Sequence, residues 1–287
     1  MSQTLTAFGT AEFEAALIQT VAPQRVTITL DSVVAQLGHK RIWRGSDGDG
    51  QRYRVEERSS ASKERVPTNI SGLSMLVDIP LGQTDHGAHE VKVYREVAGQ
   101  LLHERLEARD SPLTPTEIVE WIRPIIAAME TIHNAGFFCL RFCPYTVKYV
   151  DDGDGVFLQG VEVLYPRDAP LAKLPAIAGY TAPEVYEASV GDPLTGAADV
   201  YGIAMTLYYL IAGSDPPASL YTAYTPAILA RDFNPDFPLG FAPVLGLIGA
   251  LAADERPSDA ETLLEILEEA RDRSVRQIAG IERVRVG

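Results

Sequence analysis

Polar and apolar residues alternate strictly over residues 25–30 (Arg-Val-Thr-Ile-Thr-Leu), the period of a half-buried strand. Residues 33–37 and 41–44 read as two further strands flanking Gly38-His39. Ser46-Asp-Gly-Asp-Gly50 has hairpin-turn chemistry, and residues 51–57 form the returning strand. Asp47 and Asp49 hint at a calcium loop, but the liganding acid further on is absent, so a plain turn is the reading. Residues 73–79 and 90–97 read as two more strands around a Gly/His-rich loop at 82–89. Ahead of all these, residues 10–21 read as an amphipathic helix. Thr10 is its cap, Phe13, Leu17 and Val21 stand at i, i+4 and i+8, and Pro23 ends it. Residues 58–69 are polar and carry no apolar period, and Pro67 limits any helix there.

The period then changes. Residues 101–108 form a short helix. Thr114 caps a long one, with Pro115 at its first position and Glu117 completing a capping box. Ile118, Trp121, Ile122, Ile125, Ile126, Met129 and Ile132 hold helical spacing through to about His133, with Pro124 expected to kink the run. Residues 147–150 and 156–158 form a hairpin. Residues 198–212 carry almost no charge after Asp199, the mark of a helix buried all round. Further helices are expected near 225–231, 241–252 and 259–272. Strands first and helices after give an α+β chain of two lobes.

Between the long helix and the hairpin lies Gly136-Phe-Phe-Cys-Leu-Arg-Phe-Cys-Pro-Tyr-Thr146. A helix, a glycine, an apolar pair, a loop with one proline and then a hairpin is the layout of a catalytic loop. Where such a loop would carry an acid or base, this one has Arg141, Cys143 and Thr146.

The bulk numbers narrow the function classes. The 287 residues suffice for one large domain or two lobes, and 46% hydrophobic content is the globular norm. A net charge of −14 and an isoelectric point near 4.8 disfavour nucleic-acid binding. No apolar run reaches the roughly 18 residues that span a bilayer. The start Met1-Ser-Gln-Thr-Leu lacks the basic and apolar parts of a signal peptide, so the expected location is cytoplasmic, with no membrane partner. Cys139 and Cys143 have no second Cys/His pair near in sequence, which favours two buried thiols over zinc.

Three ordered motifs in the second lobe carry a resemblance. Gly179-Tyr-Thr-Ala-Pro-Glu184 resembles the segment that closes a protein kinase activation segment, and includes Pro183. Residues 199–213, from Asp-Val-Tyr to Leu-Ile-Ala-Gly, resemble the buried kinase helix. Arg256-Pro-Ser258 resembles the opening of the last kinase helix. The resemblance covers roughly residues 30–270. It implies a bilobal protein kinase-like fold of the serine/threonine type, with a small antiparallel β lobe and a larger, mostly helical lobe. It implies a buried pair between Glu184 and Arg256, and an Asp199 that caps its helix and reaches the catalytic-loop backbone.

The same resemblance locates what is missing. Aligned on Pro144, the kinase base position is Arg141, the lysine position Cys143 and the metal-binding asparagine position Thr146. The magnesium triplet maps to Gly160-Val161-Glu162, with Asp151, Asp152 and Asp154 at the hairpin tip nearby. The glycine loop is reduced to Gly38. Tyr53-Arg-Val-Glu56 puts Glu56 where the phosphate lysine belongs, and the regulatory helix falls in the weak region 58–69.

The expectation is a degenerate member, a pseudokinase without cofactor, metal, ATP or magnesium, that scaffolds or regulates another signalling protein, a kinase or a phosphatase. An atypical active kinase or nucleotide-transferring enzyme using displaced acids, and a non-catalytic nucleotide sensor, are the alternatives. The division is a helical extension at 1–24, a degenerate N-lobe at 25–97, a kinase-like C-lobe at 98–272 and a basic tail at 273–287. The tail carries Arg271, Arg273, Arg276, Arg283 and Arg285 on its approach and length. It either folds back on its own chain or reaches a partner, and residues 281–286 could add to a sheet as an edge strand.

Overall fold

The computed structural model describes residues 12–18, 23–37, 40–59, 73, 82–86, 89–151, 155–160, 164–168, 177–187, 194–217, 238–250 and 252–286. The chain divides into two compact units, Met1–Ala98 with Gly160–Val163, and Gly99–Gln159 with Leu164–Gly287.

The first unit is a six-stranded antiparallel sheet. Its strands are β1 (Glu12–Ile18), β2 (Pro23–Leu37), β3 (Lys40–Ser46), β4 (Arg52–Ser59), β5 (Gly82–His86) and β6 (His89–Arg95), in the order β1-β2-β3-β4-β6-β5. Alternation puts Ile28, Leu30, Tyr53, Val55, Val91 and Val93 on one face, where they form a buried cluster with Trp43 packed against it. The register sets Val55 opposite both Trp43 and Val93. Gly45 sits in this cluster because a Cβ there would lie 2.7 Å from Thr29 O and 2.8 Å from Ile28 Cγ2. At the β3–β4 turn, Asp47 accepts the N–H groups of Asp49 and Gln51 and the Tyr53 hydroxyl, which makes it a turn residue. Burial first, and then the bond to Asp47, push the Tyr53 phenol up to about 12.

Three expectations for this unit are corrected. Residues 12–18 are a strand paired with β2, from Glu12 opposite Thr29 to Ile18 opposite Pro23. The spacing of four that joins Phe13 to Leu17 satisfies a period of two as well as one of 3.6, and the open edge of β2 decides between them. The strands expected at 25–30 and 33–37 are one long β2, carried past two register shifts between Leu30 and Ser32 and between Val33 and Ala35. The loop expected at 82–89 contains β5, which is an edge strand; its ladder with β6 supplies the bonds that its polar sequence does not advertise. The strand expected at 73–79 lies outside the described residues except for Leu73, which is buried in a turn. Of residues 58–69, where a regulatory helix was expected to be shortened or absent, 58 and 59 belong to β4 and 60–69 lie outside the described residues, as does the helix expected near 225–231.

The second unit is mostly helical. It opens with β7 (Gly99–Leu101), α1 (Leu102–Glu107) and α2 (Pro115–Asn134). The α2 capping box is complete: Thr114 Oγ1 accepts Glu117 N–H, and the Glu117 carboxylate accepts Thr114 N–H at 2.8 Å. The helix runs through Pro124, and all seven of its expected core positions are buried. There follow β8 (Phe137–Phe138), β9 (Val147–Val150), β10 (Val156–Leu158), β11 (Tyr165–Pro166) and α3 (Pro183–Glu187). Strand β9 lies between β10 and β7, and β8 pairs with β11. Helix α4 (Ala197–Ala212) is buried along its whole length up to Ile211. The helix expected over 241–252 is a 3-10 turn (Leu239–Phe241) and α5 (Ala242–Ile248). It stops early at Gly249, a poor helix residue that stands at its C-cap.

The last helix, α6 (Ala260–Val286), begins where Asp259 accepts the Thr262 N–H. It extends far beyond residue 272, so the tail is helix and residues 281–286 are not a strand. Arginine, glutamate and isoleucine are adequate helix formers, and the chain has no breaker there except Gly280. No helix among the described residues is long and apolar enough to cross a membrane.

Candidate functional site

The loop with a catalytic layout but no acid or base is built on the end of α2. Gly136 turns the chain with φ +88°, its N–H bonding His133 O at 3.0 Å, and β8 follows. The loop backbone is then held by Asp199, in the first turn of α4; it does not form the helix cap expected of it, because Gly196 is the N-cap and the Asp199 oxygens go to the loop and to His133. Asp199 Oδ1 accepts Leu140 N–H at 2.5 Å and its Oδ2 accepts Cys139 N–H at 3.0 Å. His133 Nε2 lies 2.8 Å from the same Oδ2. Leu140 has φ +58°, the one non-glycine among the described residues in the left-handed region. Gly202 lets α4 come close: a Cβ there would lie 3.0 Å from Phe142 O.

Several side chains of the loop turn inward. Thr146 Oγ1 donates to Arg141 O at 2.6 Å and accepts Cys143 N–H at 3.2 Å. Pro144 O accepts His103 N–H at 3.3 Å. Cys139 and Cys143 are buried and free. Burial, and for Cys139 the nearby Asp199 charge, push both thiols up, so they are protonated and unreactive at neutral pH. The Arg141 Nε is shielded from solvent and donates to nothing, and no carboxylate pairs with Arg141 among the described residues.

Glu56 lies on β4 in the first unit. It is buried, with Lys40 Nζ at 2.6 Å, Arg54 Nε at 3.3 Å and Arg58 Nη2 at 3.5 Å. Its carboxylate is matched by three cations, the reverse of a lysine waiting for phosphate. On the next residue, Glu57 faces the other way and accepts Trp43 Nε1–H at 3.2 Å.

Glu184, on α3 after Pro183, meets Arg256: Nη2 donates to Oε2 at 2.6 Å. The same guanidinium donates through Nη1 to Ala197 O at 2.6 Å and lies over the Tyr201 ring. It ties α3 to the start of α4. Gly160 is exposed with φ +71°. Gly38, Asp152, Asp154, Val161 and Glu162 lie outside the described residues, and Asp151 is in an exposed turn.

Two further arrangements around the loop were not foreseen. One is His133 on Asp199; its signal was the buried stripe of α2, which continues from Met129 and Ile132 to position 133. The other is Asp215, just after α4, which accepts the Tyr145 hydroxyl at 2.8 Å and the Tyr180 hydroxyl at 2.6 Å. Burial first, and then this carboxylate, raise both phenols.

No protein-family model matches the chain. Among solved structures, it is similar to the Mycobacterium tuberculosis PknI kinase domain, with a TM-score of 0.64 at 15% identity, covering 85% of this chain and 96% of that one. The chain has a protein kinase-like fold. The Toxoplasma gondii rhoptry antigen kinase domain gives the same TM-score at 14% identity, over 92% of this chain and 86% of that one. In sequence, the kinase-like chain is 26% identical over 213 residues to the smooth muscle myosin light chain kinase of Gallus gallus. That match covers 67% of this chain and spans only 11% of the much longer relative. The fold thus matches the resemblance in both parts, an antiparallel sheet followed by a helical unit.

Proposed function

We propose that this kinase-like chain is a pseudokinase, an interaction module that performs no phosphoryl transfer. The observation that carries the reading is Arg141. A guanidinium stands at the position that alignment on Pro144 gives to the base, on a loop whose backbone is held at Cys139 and Leu140 by Asp199 and at Arg141 by Thr146. It stays protonated at neutral pH and cannot accept a substrate proton.

The other positions support the same reading. Thr146, in place of the asparagine, spends its hydroxyl on Arg141 O. Cys143, in place of the loop lysine, is a buried neutral thiol. Glu56, in place of the phosphate lysine, would repel a triphosphate and is already surrounded by its own cations. The residues present therefore do not suit magnesium and ATP. Phosphoryl transfer depends on positioned charge, and loss of a base alone costs about 10²–10⁴-fold. The partner class is a signalling protein, a kinase or a phosphatase, met in the cytoplasm; fold analogy and elimination support this assignment.

Thermal denaturation with ATP, with and without magnesium or manganese, tests the reading. Ligand at a hundred times its Kd stabilises a fold by about 2.7 kcal/mol. The expected result is no shift. A metal-dependent shift would favour an enzyme, and a metal-independent shift a nucleotide sensor.

A further inference from the structure

The buried and half-buried arginines of the second unit meet a carboxylate or a ring. Arg109 pairs with Glu117, Arg256 with Glu184, Arg271 with Asp272 and Arg273 with Glu269, while Arg105 lies over Trp121 and Tyr149. Among the described residues, Arg141 is the exception: it is half-buried and has neither. The chain holds 39 acids against 25 lysines and arginines, so the missing counter-charge is not for want of acids. A charged group drawn away from water is costly unless it is paired.

The side chain is held at its stem and open at its tip. Its Nε is shielded, while the two Nη groups, also unbonded within the chain, are accessible to solvent. Arg141 O accepts the Thr146 hydroxyl at 2.6 Å, which fixes the backbone below it. The groups around it do not neutralise it. Burial raises the thiols of Cys139 and Cys143, and the Arg141 charge only partly opposes this, so both stay neutral. Asp199 turns its oxygens to Cys139 N–H, Leu140 N–H and His133. The two Nη groups form a fork that matches two oxygens of a carboxylate or a phosphate.

The adjoining chain does not supply that anion. Residues 167–179 leave the loop at Arg167, whose N–H bonds Gly136 O at 3.0 Å. They return to it at Tyr180, whose ring meets the Tyr145 ring edge-on with centroids 6.5 Å apart. This stretch holds no serine, threonine or tyrosine to phosphorylate, and its one acid, Asp168, makes no pair with Arg141. A net charge of −14 repels a polyanion such as nucleic acid, and suits a single anion on an otherwise uncharged segment. We propose that Arg141 is a receptor for one side-chain oxyanion, a carboxylate or a phosphate, of a partner polypeptide. The proposal rests on the pseudokinase reading, and it gives the partner's docking segment a chemistry.

Side-chain proton–nitrogen correlation spectra of the full chain test this, because the shielded Arg141 Nε–H exchanges slowly enough to be seen. The probes are a blocked alanine pentapeptide centred on phosphoserine, the same peptide centred on glutamate or on serine, and inorganic phosphate. The expected result is a saturable shift of the Arg141 signal with the phosphoserine or the glutamate peptide and none with the serine peptide. The tighter of the two identifies the source of the anion. Arg141→Lys keeps the charge without the fork and should weaken binding at least about tenfold, read on the backbone signals of Cys139 and Thr146. Arg141→Gln should abolish it. Both variants should melt as the wild type does, because the side chain has no partner to lose. No saturable shift with either anionic peptide, a shift with inorganic phosphate alone (an adventitious ion only), or binding that Arg141→Gln retains would each overturn the proposal. None of these outcomes alters label incorporation from ATP, so failure here is distinct from failure of the pseudokinase reading.

Discussion

The Asp199 carboxylate accepts the backbone N–H of Leu140 at 2.5 Å, and Leu140 holds φ +58°. A left-handed leucine costs about 1–2 kcal/mol, and a charged acceptor on its N–H offsets that cost. Asp199 therefore sets the shape of a loop whose side chains carry no acid. Asp199→Asn keeps one acceptor oxygen and turns an amide N–H₂ toward either a backbone donor or His133. The expected loss is about 2 kcal/mol in urea denaturation. An unchanged midpoint would mean that the carboxylate is dispensable to the loop.

Arg256 is fully shielded on its side chain, while Glu184 is 25% accessible. Arg256→Ala leaves Glu184 and Ala197 O without their partner. Breaking a buried pair from one side costs about 3–5 kcal/mol, and the partly wet glutamate puts this case at the low end. Arg256→Lys should recover part of the loss, because a lysine supplies charge but cannot bridge Glu184 and Ala197 O in one fork. Denaturant midpoints of the two variants check the ranking.

Glu56 carries the opposite expectation to a kinase lysine. Glu56→Gln removes the buried negative charge that Lys40, Arg54 and Arg58 share and should destabilise the fold by about 1–3 kcal/mol, read by thermal melting. Glu56→Lys adds a fourth cation to the cluster and should destabilise further, without creating a thermal response to ATP.

Cys139 and Cys143 should resist iodoacetamide in the folded chain and react at once in urea, as followed by mass spectrometry. Their thiols titrate above the ordinary 9.0 because they are buried. A raised folded value means that the stability they contribute is full below that ordinary value and is lost as pH rises through the higher folded one. Tyr145 and Tyr180 act in the same direction. Stability should therefore decline on the alkaline side, with thiol labelling appearing over the same pH range.

The helical unit was the more legible part. The α2 stripe from Ile118 to Ile132, the Thr114–Glu117 box and the uncharged α4 each state their structure in a local pattern. The pairing of Glu184 with Arg256 and the reach of Asp199 to the loop backbone were implied by the kinase resemblance of the motifs that hold them. The strands at 12–18 and 82–86 were not legible. Both are edges, and an edge strand is fixed by the neighbour's ladder more than by its own side chains. The salt-bridge cluster around Glu56 was hidden because Lys40 joins it through sheet register. In the loop itself, the identities of Arg141, Cys143 and Thr146 were plain. That the Thr146 hydroxyl is consumed by Arg141 O needed the folded geometry.

The central claim is that this kinase fold transfers no phosphate. It is met most directly by incubating the full chain with γ-labelled ATP and magnesium or manganese, followed by counting label on protein. The account predicts background incorporation for the wild type. It predicts the same for Arg141→Asp, because restoring one carboxylate leaves Cys143, Thr146 and Glu56 unchanged. Incorporation above background that disappears on replacing Glu162 or an acid among residues 151–154 would contradict it.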